Sequence, residues 1–399
     1  MTGDHGGGSP PVLPPSASAP PPAHRLLTGP RLLAVAGVAG LVVAFAARPA
    51  AARSAAAQNW SPFVLVTGLL LIGLVADDDG LFAAAGHHLG RVSSSGIGLF
   101  AGATVMIGVV TAVLNLDTSV AFLTPVLVYA ARSRGGGEAP FLYGCLLLSN
   151  AGSLFLPGSN LTNLIVLGHV RLTGAAFLAR MWGPALAALV VTAGVVAVRE
   201  HRALRADVGA PPPVGRATLG LGLAAVGAAT LLVLVLHSPA LPVAVVGIVA
   251  IGIRLAAGRD RLPHVVEVLG VPLLVGLFGV AVALGTLGRV WSGPATLLSH
   301  LDVWGTAVVA AVAAVLVNNL PAASLLAART PAHPFALLIG LNLGPNLAVT
   351  GSLAWMLWLR AARSAGAQPS LATAGRLGAI AVPLSMAAAL GALVATGHA

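Results

Sequence analysis

Long apolar runs broken by short polar stretches dominate this chain from residue 32 to residue 395. Runs of about 17 to 25 apolar residues are typical of membrane-spanning helices. The alternation with a period of two that marks a membrane β-barrel is absent. The pattern predicts nine full crossings, and we list them by first residue: Leu32, Trp60, Pro140, Gly174, Ala217, Leu241, His264, Pro334 and Leu377.

Some polar stretches fall inside the apolar runs. Asp117 lies between Gly96–Val113 and Val120–Ala131, which contain no other charged residue. A carboxylate carried into hydrocarbon costs at least a few kcal/mol. We interpret Asp117 as part of the tip of a re-entrant hairpin, and an interfacial turn between two helices is the alternative.

A second kind of interruption divides the run that begins at Pro140. It consists of the polar stretches 149–153 and 157–163, and Pro157-Gly158 stops the hydrogen-bond ladder of a helix. Backbone freed at membrane depth is tolerated only where it is buried in protein or lines a cavity. The sequence therefore predicts a discontinuous helix.

Both interruptions recur about 200 residues later, as expected for the repeats of a secondary transporter. The stretch 113–119 is echoed by 316–322, and the stretch 148–161 is echoed by 340–353. Chance similarity between two sequences rich in Leu, Ala and Gly is the alternative. We predict an all-α polytopic membrane protein with two inverted repeats, each with a re-entrant helical hairpin and a discontinuous helix.

The predicted organisation has four parts. Residues 1–30 are rich in Gly, Pro and Ser and predict a disordered tail. Residues 31–198 form the first membrane repeat with its leading spans, 199–216 a cytoplasmic linker, and 217–399 the second membrane repeat. With the N-terminus cytoplasmic, fifteen of the 21 Arg residues face the cytoplasm, which follows the positive-inside rule. We expect a multi-pass protein of the bacterial plasma membrane.

Composition supports a membrane protein and narrows its partners. The chain is 57% hydrophobic and 8% charged, with a mean hydropathy of +0.94. Its basic residues are all Arg, a bias typical of a GC-rich genome, so the net charge of +10 does not indicate nucleic-acid binding. A single cysteine, Cys145, cannot form an internal disulfide or a thiolate metal cage. Asp77, Asp78 and Asp79 are expected to form an interfacial cap.

Other functional classes find little support. No His-Glu-x-x-His or Gly-x-Ser-x-Gly motif indicates an enzyme, and no Gly-x4-Gly-Lys-Ser/Thr loop indicates a primary pump. A channel stays open as an alternative. The expected partners are a small solute or ion and the lipid bilayer. A homodimer is also considered, and neither nucleic acid nor a separate ATPase subunit is expected.

The candidate solute- and ion-binding residues are amides, hydroxyls and one carboxylate in the four breaks. They are Asn115, Asp117, Thr118, Asn150, Ser153, Ser159, Asn160, Asn163, Asn318, Asn319, Asn342, Asn346, Thr350 and Ser352. Such groups donate and accept hydrogen bonds, and no Arg lies among them. A neutral polyhydroxylated solute fits this set. No cofactor or structural metal is expected, and Asp117 is the candidate for a coupling proton or sodium ion.

These residues resemble the ion transporter superfamily, and within it the arsenite efflux permeases of the ArsB type. Asn115–Pro125 resembles the Asn-Asp-Gly-Ala-Ala-Leu-Ile-Leu-Thr-Pro segment of that family, and 317–321 and 341–354 resemble its Asn-Asn-Met/Leu-Pro and Leu-Gly-Pro…Gly-Ser-Leu-Ala segments. The resemblance covers residues 62–359 and implies proton-driven export of arsenite or antimonite. Leu116 is inserted between Asn and Asp, and Asn342 stands where the permeases often carry Asp. Sodium- or proton-coupled symport of dicarboxylates or inorganic anions is therefore the alternative.

Overall fold

The computed structural model of the protein describes residues 28–93, 95–168, 170, 172–205 and 220–398. All regular secondary structure in these residues is helical. Five helices among them are long and apolar enough to cross a membrane, and several apolar helices of 10 to 17 residues accompany them. The all-α membrane architecture predicted from the sequence is confirmed.

The helices divide into two halves at the segment 206–219, which lies outside the described residues. The first half contains α1 (Thr28–Ala47), α2 (Pro49–Asp78), α3 (Leu81–Val92), α4 (Gly96–Val113), α5 (Leu116–Arg132), α6 (Ala139–Gly152), α7 (Leu161–Leu167), α8 (Gly174–Arg199) and α9 (His201–Arg205). The second half contains α10 (Leu221–Val235), α11 (Ala240–Ala256), α12 (Leu262–Leu269), α13 (Val271–Val290), α14 (Gly293–Ser299), α15 (Val303–Val317), α16 (Asn319–Leu326), α17 (Pro334–Leu343), α18 (Ala354–Ser364) and α19 (Leu371–Ala395).

Several helix boundaries differ from the expected ones. α1 begins at Thr28, and residues 1–27 of the predicted tail lie outside the described residues. α2 begins at Pro49, well before the expected Trp60, because an Ala-rich stretch favours helix and proline is tolerated in the first turn. The crossing expected from His264 is divided at Gly270, whose φ of 57° ends α12 and starts α13.

Charged side chains join helix ends on one side of the molecule, which we call the Asp79 face. Arg254 at the end of α11 forms ion pairs with Asp79 and Asp260, each at 2.5 Å. Asp79 also accepts a hydrogen bond of 2.7 Å from the N–H of Gly222, at the start of α10. One of the three expected cap residues thus caps a different helix and connects α2, α10 and α11.

The opposite side, the Gln58 face, lies at the other end of α2. Gln58 precedes Asp78 by twenty residues, which corresponds to about 30 Å along a helix. The Gln58 Nε2 donates to the carbonyl of Ala327, which follows α16, at 3.0 Å. α2 therefore crosses the molecule from the Gln58 face to the Asp79 face.

The two hairpins, α4–α5 and α15–α16, start from these opposite faces. Arg132 at the end of α5 donates hydrogen bonds to the carbonyls of Ala365 and Gly366, in the loop after α18. α18 reaches the Asp79 face, where Arg360 pairs with Glu267 of α12 at 2.6 Å. Since α16 ends beside Gln58, the second hairpin is inserted in the opposite sense, as the inverted repeat predicts.

Small residues allow close contact between the halves. α1 packs along α13, and α11 packs along α2. A Cβ on Gly37 would lie 2.2 Å from the carbonyl oxygen of Gly276, and one on Gly68 would lie 2.7 Å from the Cα of Ala244. Close backbone approach through small residues is the usual way in which membrane helices associate. Thus α1 of the first half packs on α13 of the second half, and α11 of the second half packs on α2 of the first half.

Candidate functional site

The first hairpin tip is the turn between α4 and α5. Asn115 has an extended backbone, and its Oδ1 accepts a hydrogen bond of 2.6 Å from the N–H of Thr118. This is an N-cap, which satisfies one of the free donors at a helix start. Asp117 lies in the first turn of α5, where the helix dipole favours a negative charge.

The first tip is fixed by contacts with α2 and α6. A Cβ on Gly73 of α2 would lie 2.5 Å from the Cγ2 of Thr118, so glycine is required for this approach. The hydroxyls of Ser119 and Ser149 are 3.2 Å apart, which joins α5 to the end of α6. The tip therefore lies beside the break in the first discontinuous helix.

That break follows α6 and contains the 3-10 turn Pro157–Ser159 before α7 begins. Asn160 caps α7, with its Oδ1 accepting from the N–H of Thr162 at 3.2 Å. The Ser159 hydroxyl lies within hydrogen-bond distance of the carbonyls of Ser153, at 2.6 Å, and Leu156, and its single proton is donated to one of them at a time. The Nδ2 of Asn163 donates to the same two carbonyls, so these two side chains satisfy main-chain oxygens at the interruption of the helix.

The second discontinuous helix passes the first at Asn342, near the end of α17. Its Oδ1 accepts hydrogen bonds from Ser153 and Asn160, each at 2.6 Å. Its Nδ2 donates to the Oδ1 of Asn163 and to the carbonyl of Leu338, each at 2.8 Å. The amide of Asn342 therefore uses its full hydrogen-bonding capacity, two bonds at the oxygen and two at the nitrogen.

Asn150 and Asn346 extend this network. Asn150 Nδ2 donates to Asn346 Oδ1 at 2.8 Å, and Asn346 Nδ2 donates to the carbonyl of Leu147 at 3.1 Å. The asparagine network contains seven of the candidate residues, and it joins the two breaks. These residues are Asn150, Ser153, Ser159, Asn160, Asn163, Asn342 and Asn346.

An asparagine at position 342 is explained by this geometry. A carboxylate there would place an acceptor oxygen against the Oδ1 of Asn163, where the structure has a donor. Burying an unpaired charge beside an acceptor is costly. Asn342, which stands where the arsenite permeases often carry Asp, therefore allows the hydrogen-bonded contact between the two breaks.

The second hairpin tip is held by the loop that follows the 3-10 turn Gly344–Leu347. Asn318 Nδ2 donates to the carbonyl of Thr350 at 3.2 Å, and the N–H of Asn319 donates to the carbonyl of Gly351 at 2.8 Å. The Thr350 hydroxyl donates to the carbonyl of Val315 at 2.8 Å. Asn318 has φ 76° and ψ 147°, a strained backbone for a residue other than glycine. The hydrogen bonds between the tip and the loop hold Asn318 in this conformation.

Several buried polar groups near the first tip and first break make no hydrogen bond with the described residues. At the tip these are the Nδ2 of Asn115 and the Oγ1 of Thr118, and in the network it is the Oδ1 of Asn150. Most buried polar groups in proteins are paired, so these groups are candidate contacts for a water, an ion or a solute. The half-buried Asp117 carboxylate likewise has no ion-pair partner among the described residues.

Three further residues were not among the candidates. Thr111 on α4 and Thr162 on α7 carry buried hydroxyls without partners among the described residues. Thr111 precedes Asn115 by four residues, about one helical turn, and this spacing could have indicated from the sequence that Thr111 lies near the tip. Gln58 connects Ile165, Ala327 and Arg289, but it lies outside every break, so no pattern indicated it.

The fourteen candidates thus fall into three groups. Seven form the asparagine network, three lie at the first tip, and four lie at the second tip or its loop. Among the last group Ser352 is buried, and its hydroxyl has no partner among the described residues. A chain of contacts joins the groups, because Ser149 precedes Asn150, and a Cβ on Gly351 would lie 2.5 Å from the Cα of Pro345.

An all-helical membrane bundle with two oppositely inserted hairpins and two interrupted helices defines a class of protein, the integral membrane transporters. Comparison with known proteins narrows this class. A family model described as a citrate transporter, CitMHS, matches residues 25–361. The chain belongs to the citrate transporter (CitMHS) family.

Relatives of the chain include two arsenical pump membrane proteins. The one from Escherichia coli is 25% identical over 340 residues, covering 75% of this chain and 78% of the relative. The one from Yersinia enterocolitica is 24% identical over 338 residues with the same coverage. The fold is similar to that of the YdaH transporter of Alcanivorax borkumensis, with a TM-score of 0.52, 17% identity, and coverage of 86% of this chain and 88% of that one.

Proposed function

We propose that the protein exports arsenite or antimonite, driven by the inward flow of protons. The observation that carries this proposal is the set of unpaired neutral groups at the first tip, next to a single unpaired carboxylate. Amide N–H, amide C=O and hydroxyl groups can bind a neutral trihydroxide through complementary hydrogen bonds. The two relatives named as arsenical pump membrane proteins support this solute class.

The charge distribution favours a neutral solute over a multiply charged anion. None of the fourteen candidate residues carries a positive charge, and Asp117 would repel an anion. Arg289 donates to Gln58 at 2.6 Å, at the Gln58 face, rather than to any residue of the two tips. An anion would therefore need a co-bound cation, whereas arsenous acid would need none.

Asp117 is the proposed carrier of the coupling proton. It is the only acidic residue in the four breaks, and among the described residues no Arg or His pairs with it. A carboxyl group without a cationic partner can take up and release a proton as its surroundings change. We place the Asp79 face in the cytoplasm because most Arg residues of the described segments lie at helix ends on that side.

The substrate is tested in cells whose own arsenite efflux genes have been deleted. Expression of the protein should raise arsenite tolerance and lower arsenite accumulation. A protonophore should restore the accumulation of arsenite. Unchanged tolerance and accumulation, with the protein present in the membrane, would contradict the proposal. Cells carrying the empty vector provide the control.

The family description favours a second candidate, symport of citrate or another di- or tricarboxylate with sodium or protons. Here Asp117 and the unpaired oxygens would bind the cation, and the cation would neutralise part of the anion. Uptake of radiolabelled citrate and succinate, measured with and without a sodium gradient, separates this candidate from the first. Gradient-dependent uptake in cells that show no arsenite efflux would establish it.

A further inference from the structure

A cavity of about 680 Å³ opens near the Gln58 face and is separate from both hairpin tips. Its walls come from α2, α7, α10 and α11 and from the loops that follow α7 and α10. Polar side chains line part of the wall, including Gln58, Ser61, His237 and Ser238. A cavity of this volume with several polar groups in its wall is suited to hold water.

The polar residues of α2 form a stripe along the cavity. Ser54, Gln58 and Ser61 are spaced by four and three residues, which places them on one face of a helix. Gln58 and Ser61 line the cavity, and Leu65 continues the same face toward the interior. The half-buried Ser61 makes no side-chain hydrogen bond with the described residues. Its hydroxyl is therefore available to a solute.

The floor of the cavity belongs to the first break. Pro157, the first residue of the 3-10 turn, lines it together with Leu65. From Leu65 to Gly73, which contacts Thr118 at the first tip, α2 advances by eight residues, or about 12 Å. The cavity thus leads from the Gln58 face to the first break, and its floor lies about 12 Å along α2 from the contact between Gly73 and the first tip.

One side chain in the wall connects the parts that surround the cavity. Gln58 Nε2 donates to the carbonyls of Ile165 on α7, at 2.9 Å, and Ala327 after α16, at 3.0 Å. Its Oε1 accepts from Arg289 at 2.6 Å. Movement of α7 or the second hairpin relative to α2 would break these bonds and change the cavity wall.

We propose that this cavity is the aqueous passage between the first break and the Gln58 face, and that Ser61 contacts the solute within it. The nature of the solute, a small neutral molecule with several hydroxyls, rests on the proposed function. The position of the passage rests on the cavity and its lining residues.

The test uses single cysteines in the full-length protein, in which the buried native cysteine is replaced by Cys145→Ala so that the introduced thiol is the only one. Ser61→Cys lies inside the cavity, and His237→Cys lies at its exposed mouth. Ser299→Cys is the matched control, exposed on the short helix that follows α13 at the Gln58 face but outside the cavity. Oriented vesicles are treated with a charged, membrane-impermeant thiol reagent on one side at a time.

The proposal expects the reagent to modify all three cysteines from the same side. Modification should abolish transport by Ser61→Cys and His237→Cys and leave transport by Ser299→Cys unchanged. Arsenite at saturating concentration should slow modification of Ser61→Cys but not of Ser299→Cys. Failure to modify Ser61→Cys, or its modification without loss of transport, would overturn the passage.

The labelling is first measured without arsenite, and that result is independent of the solute. Modification of Ser61→Cys in a protein that moves no arsenite would reject the proposed solute and keep the passage. Absence of modification in a protein that exports arsenite would reject the passage and keep the proposed function. If Ser61→Cys does not fold, the loss of transport on modification of His237→Cys tests the passage at its mouth, and transport that stays unchanged would overturn it.

Discussion

The two hairpin tips occupy equivalent positions in the inverted halves, yet their polar groups are used differently. At the second tip, the side chains of Asn318 and Thr350 and the main-chain N–H of Asn319 take part in hydrogen bonds between the tip and the adjacent loop. At the first tip, Asn115 caps its helix with one oxygen, while its Nδ2 and the Thr118 hydroxyl have no partner among the described residues.

This difference shows how a repeated architecture can divide its roles. The second tip is held by bonds to the main chain of its loop and contains no acidic residue, although the buried Ser352 hydroxyl of that loop has no partner among the described residues. The first tip keeps open hydrogen-bonding groups beside a carboxylate. We infer that the second tip mainly holds its half together and that the first tip binds the solute. The asparagine network between them makes the two halves one unit.

The largest expected effect concerns the network. Asn342→Asp replaces the donor to Asn163 by an acceptor and buries a charge, which should destabilise the protein by about 3 kcal/mol or more. Asn318→Asp at the half-buried second tip is the control and should cost about 1 kcal/mol, the value of one hydrogen bond. Thermal unfolding in detergent, followed by size-exclusion chromatography, measures both. Equal stability of the two variants would contradict a structural role for the network.

A smaller effect is expected where α19 supports the second break. A Cβ on Gly378 would lie 1.8 Å from the carbonyl oxygen of Asn346, so Gly378→Ala should cost about 1–3 kcal/mol through overpacking. Gly391 lies on the same helix with nothing within 4 Å of its Cβ position. Gly391→Ala should therefore be neutral or slightly stabilising, since alanine favours helix. Equal changes of stability in the two variants would contradict the claim that the contact with the break decides the result.

Exchange of threonine for valine tests the tips directly. Thr350→Val removes a hydroxyl that donates to Val315 and should lower stability by about 1 kcal/mol while transport stays close to that of the wild type. Thr118→Val removes a hydroxyl without a partner among the described residues, so stability should hold while the affinity for the solute falls. Transport kinetics and unfolding of the two purified variants are compared. The opposite pattern would reverse the roles of the two tips.

The general architecture could be predicted from sequence because it depends on local signals. Apolar runs, the Pro157-Gly158 break and the recurrence of polar residues are all visible in the sequence. The pairing of Asn342 with Asn163 could not be predicted, because it depends on how two distant breaks pack. The same holds for Gln58, whose partners lie on three other helices or at their ends. An asparagine in a break can bind a solute or another asparagine, and only the packing decides between these roles.

The most direct test of the account is the effect of Asp117→Asn on coupled transport. The amide is nearly isosteric and costs less to bury than a carboxylate, so the variant should insert and fold like the wild type. Proteoliposomes with an imposed pH gradient, matched for reconstituted protein, then measure arsenite movement against its own gradient. The account predicts that uphill transport is lost in Asp117→Asn while the protein stays folded. Uphill transport at the wild-type rate would contradict the central claim that the first tip carries the coupling ion.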